Sequence, residues 1–365
     1  MLPQLNVEFP RANPSKIGLY DYVIENDFQK RYLEAVEPMG ESDKVTEVTG
    51  AINPYRPLNR MVSEFANNVT IAWTKMYELW HEPELKRLLD GKGVSTCHLA
   101  EFPGSFISAT HRYIATRKPA WMYSKKWIWR ATSLDPTEDD AVLDDRFGLY
   151  ERYPKNWVLS DATKADDILK LPTQLGMKFD LVTGDIGKPV KDWKNQEAEH
   201  HDEQLGQFVS ALILLDKGGV AVLKMFHCFT PQTMSLLRIA TGCFDTVKVF
   251  KPRTSKMLNN EVYWILSGFS GEKLDFKTML SALGTSKNLV PKEELTKEFL
   301  EKVERVANHQ ILNYTGISRA VEKYIREYKG DNMFRHVSND MKNSGKKYAS
   351  EWLKQFPVGR MGTVL

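Results

Sequence analysis

"ALILLDKGGVAVLKMF", residues 211–226, decides the fold. Its first half completes a stretch of helical spacing that starts at "EAEHHDEQ", residues 197–204. Lys217, Gly218 and Gly219 then break the helix, and "VAVLKMF" reads as a short buried strand. A helix returning through a glycine turn into an apolar strand is half of a βαβ unit, so the sheet it enters is parallel. Lys224 stands at the end of that strand, where a buried cation without a partner is costly. Ligands in open α/β sheets lie beyond the carboxyl ends of the strands, and a functional lysine belongs there. The plain alternative is a stem that snorkels to solvent.

Working outward, "STCHLAEF" (95–102), "KKWIWRATSL" (125–134), "NWVLSD" (156–161) and "FDLVTGDIG" (179–187) read as further strands, and "SFISATHRYIATR" (105–117) reads as a helix. "FDTVKVFKP" (244–252) and "NEVYWILSGF" (260–269) are separated by a loop too short for a crossover helix. They are expected to form an antiparallel hairpin at the edge of the sheet. The fold class expected is α/β, a Rossmann-like and mostly parallel sheet flanked by helices.

Before this core, "EFANNVTIAWTKMYELWHEPELKRLLD" (64–90) predicts an amphipathic helix broken at Pro83. Residues 1–63 read as an extended N-terminal arm, an embellishment with one short helix near Asp27–Val36. Residues 271–365 turn charged and helical, as in "KEELTKEFLEKVERVANHQIL" (292–312), and are expected to pack as a helical extension on the 64–270 core.

Composition narrows the function classes. The chain has 365 residues, of which 42% are hydrophobic and 27% charged, an ordinary balance for a globular protein and not for a disordered one. A net charge of +3 neither requires nor excludes a polyanionic partner. Three scattered cysteines, Cys97, Cys228 and Cys243, make neither a disulfide framework nor a closed zinc site and suit a reducing compartment. "MLPQLNVEFPRANPSK" (1–16) lacks the apolar core of a signal peptide, and no apolar run approaches the roughly 20 residues that span a bilayer. The expectation is an intracellular protein with no membrane association.

Several positions carry chemistry, each with an ordinary duty beside it. "AEFPGSF" (100–106) follows a strand and opens a helix, whose free N–H groups and positive potential suit a ligand, although a plain turn looks the same. Asp185 and Asp161 end strands, where a carboxylate meets a ligand or caps the next helix. "KPRTSKMLNNEVYWI" (251–265) puts Lys251, Arg253 and Lys256 in a loop before Glu261, either for an anion or to protect an edge strand. "RKPAWMYSKKWIWR" (117–130) interleaves cations with aromatics, some of which belong to a strand core. "EHHDE" (199–203) invites a metal, but neighbouring histidines diverge on a helix, so a solvated helix start is the reading and no metal is assigned.

Taken in order, "WTKMYE", "LAEFPGSF", "GDIG", "VLKMF" and "KPRTSKMLNNEVYWI" resemble the FtsJ-like RNA ribose 2′-O-methyltransferases, most closely the branch that modifies messenger RNA caps. The resemblance spans about residues 64–270. It implies S-adenosylmethionine as methyl donor and a Lys-Asp-Lys-Glu tetrad that falls on Lys75, Asp185, Lys224 and Glu261. It further implies donor contacts from Glu101, Pro103, Gly104, Ser105 and Phe106 along the methionine portion and from Asp161 to the adenine, with Asp135 a lower-ranked candidate for the ribose, and RNA contacts from Lys251, Arg253 and Ser255. Ser105 stands where the family usually has a second glycine, and His98 where an acid is frequent.

A ribose hydroxyl is a poor nucleophile at neutral pH, so transfer needs a positioned base, and Lys224 is the candidate. A lysine with the ordinary pKa of about 10.4 is protonated, so its site must favour the free amine. Asp185 alone pushes the other way; Lys75, the sulfonium of the donor and exclusion of water oppose it. The implied function is cap ribose methylation of capped mRNA, with capping enzymes as partners. An rRNA or tRNA 2′-O-methyltransferase and a silent RNA-binding scaffold subunit are the alternatives. Cellular and large DNA virus proteins both carry such cores, which leaves nucleus and cytoplasm open.

Overall fold

The structure is a computed structural model and describes residues 4–39, 43–135, 145–189, 191–256, 259–327 and 332–359. Among the described residues, eight strands form one sheet: β1 (Asn6–Phe9), β2 (Val94–Leu99), β3 (Trp127–Ser133), β4 (Trp157–Leu159), β5 (Phe179–Gly184), β6 (Leu215–Met225), β7 (Phe244–Phe250) and β8 (Val262–Phe269). Their spatial order is β1-β7-β8-β6-β5-β2-β3-β4. The run from β4 to β6 is parallel, and β8, β7 and β1 complete the sheet with antiparallel pairs. This is the Rossmann-like arrangement expected from the alternation of helices and strands.

Side chains along a strand alternate between faces, and the core divides accordingly. On β6, Ala221, Leu223 and Met225 pack in one hydrophobic cluster, while Val220 and Val222 pack in the other. On β8, Val262, Trp264 and Leu266 join the first, and Tyr263 and Ile265 the second. Lys224 therefore shares the second face with Tyr263, its partner across the β6–β8 ladder. The same parity carries Glu261, just before β8, and Asp185, just after β5, to that side.

The structure departs from the sequence reading in four places. The N-terminal segment is more than an arm: β1 pairs with β7, and Leu5, Phe9, Phe28 and Tyr32 are buried in the first cluster. The β7–β8 hairpin is consequently not the edge, because β1 covers β7. The helix expected over 64–90 begins only at Ile71 and ends at Leu79, with a short helix Pro83–Lys86 after it. Thr70 sets that start, its Oγ1 accepting the Trp73 N–H at 3.0 Å, after Asn68 has turned the chain with φ 59°.

The fourth departure is at "EHHDE", which is not a solvated helix start. His200 is 1% exposed with its ring 4.6 Å from that of Phe226, and Glu203 is buried and paired with Lys188. Periodicity could not show that the chain before this helix folds back over it.

The charged C-terminal region divides between the two faces. Helix Lys297–Glu327 sends Val303, Val306, Ile311 and Tyr314 into the first cluster. The end of helix Asn332–Gln355 and the residues after it send Trp352, Phe356 and Val358 into the second. Among the described residues, no helix is long and apolar enough to cross a membrane.

Candidate active site

Four chain segments deliver polar side chains to one end of the sheet. Lys75 comes from helix Ile71–Leu79, Asp185 from the end of β5, Lys224 from the end of β6, and Glu261 from the residue before β8. Lys75 Nζ lies 2.7 Å from Glu261 Oε1 and 2.8 Å from Oε2. Lys224 Nζ lies 3.3 Å from Asp185 Oδ1 and donates to the Asp185 carbonyl at 3.0 Å. The tetrad residues of the sequence reading thus converge as two ion pairs. The pairs are joined through Tyr263, whose hydroxyl donates to Asp185 Oδ1 at 2.9 Å and whose ring centre is 5.9 Å from Lys75 Nζ.

The electrostatics keep the Lys75–Glu261 pair charged. Burial opposes the charge on Glu261, but Lys75, Lys224 and Lys251 outweigh it and hold the carboxyl below the usual range. Burial likewise works against the Lys75 ammonium, and Glu261 and Asp185 more than offset it, so its pKa is raised. Tyr263 is pushed well above the usual phenol value by burial and by the nearby Asp185 and Glu261, and it stays a neutral donor.

Lys224 has room on one side because of a glycine. A Cβ at Gly187 would stand 2.9 Å from Lys224 Nζ, so a side chain there would displace the amine. Gln207 holds the other end of the lysine's residue, its Nε2 donating to the Lys224 carbonyl at 2.5 Å.

The β2 turn is built largely from its own residues. Glu101 is buried, and its Oε1 accepts from the Phe106 N–H at 2.6 Å and the Ile107 N–H at 3.2 Å, capping helix Ser105–Arg117. Burial drives the Glu101 carboxyl well above its usual value; these two N–H donors oppose that and Asp185 adds to it. Pro103 precedes Gly104, which takes φ 107° and whose Cβ would come 2.4 Å from Leu149 Cδ1, so only glycine fits. Ser105 accepts from Thr70 Oγ1 at 2.9 Å, linking this turn to the start of the Lys75 helix, and Phe106 packs 6.3 Å from the Tyr263 ring. His98 is fully buried between Thr96 and Thr183, at 3.0 and 2.8 Å, and burial lowers its pKa to about 3. A neutral histidine tying β2 to β5 occupies the position where an acid was the alternative.

Asp161, two residues beyond β4, accepts from Thr163 N and Oγ1 at 2.8 and 2.7 Å and pairs with Lys164 at 3.4 Å. Burial opposes its charge, but Thr163 and Lys164 prevail and lower its pKa. Asp135 lies two residues beyond β3. Adjacent parallel strands β5, β2, β3 and β4 therefore each end within two residues of a carboxylate: Asp185, Glu101, Asp135 and Asp161.

The three residues expected to meet RNA separate. Arg253 is exposed, as is Lys256. Ser255 is buried and donates to Glu261 Oε1 at 2.9 Å. Lys251 is also buried, its ammonium within 2.6 to 2.9 Å of the Glu261 carbonyl, Asn259 Oδ1 and the Asn259 carbonyl. Burial and the Lys75 charge, against Glu261, push its pKa down to about 7. Lys251 and Ser255 thus brace the loop from within.

Tyr263 and Glu78 escaped the sequence reading. The signal for Tyr263 was its place two residues after Glu261, on the same strand face; for Glu78, its place one turn after Lys75.

The sheet order and the polar cluster at the carboxyl ends of its parallel strands define a Rossmann-like methyltransferase domain. Residues 69–269 match the FtsJ-like methyltransferase family, and the chain belongs to that family. It is similar to an uncharacterized protein of Acanthamoeba polyphaga mimivirus, at 30% identity over 71% of this chain and 32% of that one. A probable methyltransferase of African swine fever virus is 30% identical over 60% of this chain and 54% of its own. The cap-specific mRNA (nucleoside-2′-O-)-methyltransferase 2 of Drosophila melanogaster is 29% identical over 68% of this chain and 36% of its own. The chain spans about a third to a half of the length of these relatives. Among solved structures, a putative ribosomal RNA methyltransferase from Plasmodium falciparum aligns over 56% of this chain and 99% of its own, with TM-score 0.39 and 19% identity.

Proposed function

We propose that the protein is an S-adenosylmethionine-dependent RNA ribose 2′-O-methyltransferase acting on capped mRNA, with residues 64–270 as its catalytic core. The observation that carries the reading is the convergence of Lys75, Glu261, Asp185 and Lys224 at the end of the sheet where such folds bind ligands. The cap preference is supported by the resemblance to cap-specific relatives. Capping enzymes are the partners that this substrate implies.

S-adenosylmethionine, when bound, supplies an electrophilic methyl group. The backbone from Glu101 to Phe106 is the proposed wall for its methionine end, with Asp161 the proposed contact to its adenine. Lys224 Nζ removes the proton from the ribose 2′-OH as the oxygen is alkylated. Asp185 orients that amine through its carboxylate and its carbonyl, and Tyr263 fixes the carboxylate. Lys75 neutralises Glu261, so the second carboxylate is committed and the pair stands as a rigid wall beside the base. Arg253 and Lys256 offer cations to the RNA backbone, and phosphate contacts position a strand without reading it.

The test is a short RNA, capped or uncapped, incubated with labelled donor and read by mass spectrometry. One 2′-O-methyl group on the capped RNA, and none with Lys224→Ala, is the expected result; a positioned base is worth about 10²–10⁴-fold. Calorimetry should give that variant an unchanged donor affinity. Turnover retained in Lys224→Ala removes the base assignment, and equal methylation of both RNAs removes the cap preference.

A further inference from the structure

The loop between β7 and β8 carries Arg253, Lys256 and Glu261, and two buried polar groups hold it from opposite faces of the sheet. One is Glu78, a turn after Lys75 on the same helix and 1% exposed. Its Oε1 accepts from Arg253 N at 2.7 Å and Gln4 Nε2 at 3.1 Å. Its Oε2 accepts from Trp352 Nε1 at 3.2 Å, Thr254 Oγ1 at 3.3 Å and Thr254 N at 3.4 Å. The other is Asn260, next to Glu261 and 2% exposed. Asn260 Nδ2 donates to Tyr32 Oη and to the Trp193 carbonyl, both at 3.2 Å. Its Oδ1 accepts from the Tyr314 hydroxyl, and its carbonyl accepts from Gln310 Nε2 at 3.2 Å.

Each anchor is completed from both ends of the chain. Gln4 and Trp352 meet at Glu78; Tyr32, Gln310 and Tyr314 meet at Asn260. All five lie outside the 69–269 segment that matches the family. A loop of this length has many conformations, and fixing it at both points removes that freedom before substrate arrives. Displacement of a catalytic group by about 1 Å costs on the order of 10²-fold in rate, so anchoring beside Glu261 bears directly on turnover.

We propose that Glu78 and Asn260 are positioning residues, through which the segments before and after the family core set the geometry of Glu261 and of the Arg253 surface. Neither side chain touches RNA or donor. The kinetic half of this inference rests on the methyltransferase reading given above.

Three variants of the full chain test it: Glu78→Gln, Trp352→Phe and Tyr314→Phe. Tyr314→Phe removes one O–H and keeps the ring, whereas Trp352→Phe removes the indole N–H and also leaves a smaller ring in the core; Tyr314→Phe is therefore the variant that remains informative if Glu78→Gln fails to fold. Amide hydrogen exchange across 251–261 is read first and does not depend on activity. Exchange in this loop is expected to rise about tenfold while strands β5 and β6 are unchanged. With capped RNA, kcat should then fall about tenfold, with KM for RNA moving less than about threefold and donor affinity constant. Unchanged exchange in the loop overturns the proposal, and so does raised exchange with wild-type kcat. If the wild-type chain methylates no RNA, the methyltransferase reading fails, and the exchange result alone decides whether the loop is held in this way.

Discussion

The β2 turn and the β7–β8 loop lie at the same end of the sheet and are built in opposite ways. In the turn, Glu101 satisfies N–H groups five and six residues away, and Gly104 makes room for Leu149. In the loop, Glu261 finds Lys75 across 186 residues, and its neighbours are held by Gln4, Tyr32, Tyr314 and by Glu78, which Trp352 braces. The cap in the turn is specified by local sequence, whereas the anchors of the loop exist only after the whole chain has packed. Damage to the turn should therefore stay local, and damage to the loop should reach both stability and turnover.

Glu261→Gln is the most severe way to break this contrast. Leaving Lys75 buried without its ion-pair partner should destabilise the protein by about 3–5 kcal/mol in urea denaturation. Methyl transfer should fall about 10²-fold or more at saturating substrates. There is a pH signature as well. The Glu261 carboxyl is held below its unfolded value of about 4.3, so the stability it contributes is complete above that pH and is lost as pH falls through the folded value. An acid limb equal in wild type and Glu261→Gln would count against the pairing.

Lys251→Met should have an intermediate effect. Three acceptors lose their donor, which predicts a loss of about 1–3 kcal/mol. Lys251 has its pKa lowered to about 7 against about 10.4 unfolded, so the unfolded chain binds the extra proton between these values. Wild-type stability should thus rise with pH from about 7 toward about 10, relative to Lys251→Met. Parallel stability profiles for the two proteins would mean that the amine is solvated.

The smallest effect is expected from Glu101→Ala in the turn. Loss of a helix cap costs about 1 kcal/mol, and two N–H groups are released beside the proposed donor wall. Calorimetry should show weaker donor binding, while hydrogen exchange in the 251–261 loop stays at the wild-type level. Exchange that rises there as well would erase the distinction between the two regions.

Much of the core was legible because its signals are periodic. The strands around "STCHLAEF", "FDLVTGDIG" and "VAVLKMF" and the helix over 105–117 lie where alternation and helical spacing put them. The helix at 64–90 was misjudged because Thr70 and Asn68 override a run of apolar residues through local hydrogen bonding and backbone angle. His200 was misjudged, and the burial of Lys251 went unread, for a different reason. A charged or polar residue looks solvated in sequence, and its burial depends on partners that periodicity does not reveal.

The parallel sheet, the strand ends that carry Asp185 and Lys224, and the ordered motifs of the family were already written in the order of the residues. Those features follow from neighbours close along the chain, whose spacing fixes which way a side chain points. Packing was needed to bring Lys75 to Glu261, to close the sheet beyond β7 with residues 6–9, and to let segments on both sides of the family core grip one loop. Those contacts join residues far apart in sequence, and no local pattern encodes a distance that exists only once the core has packed.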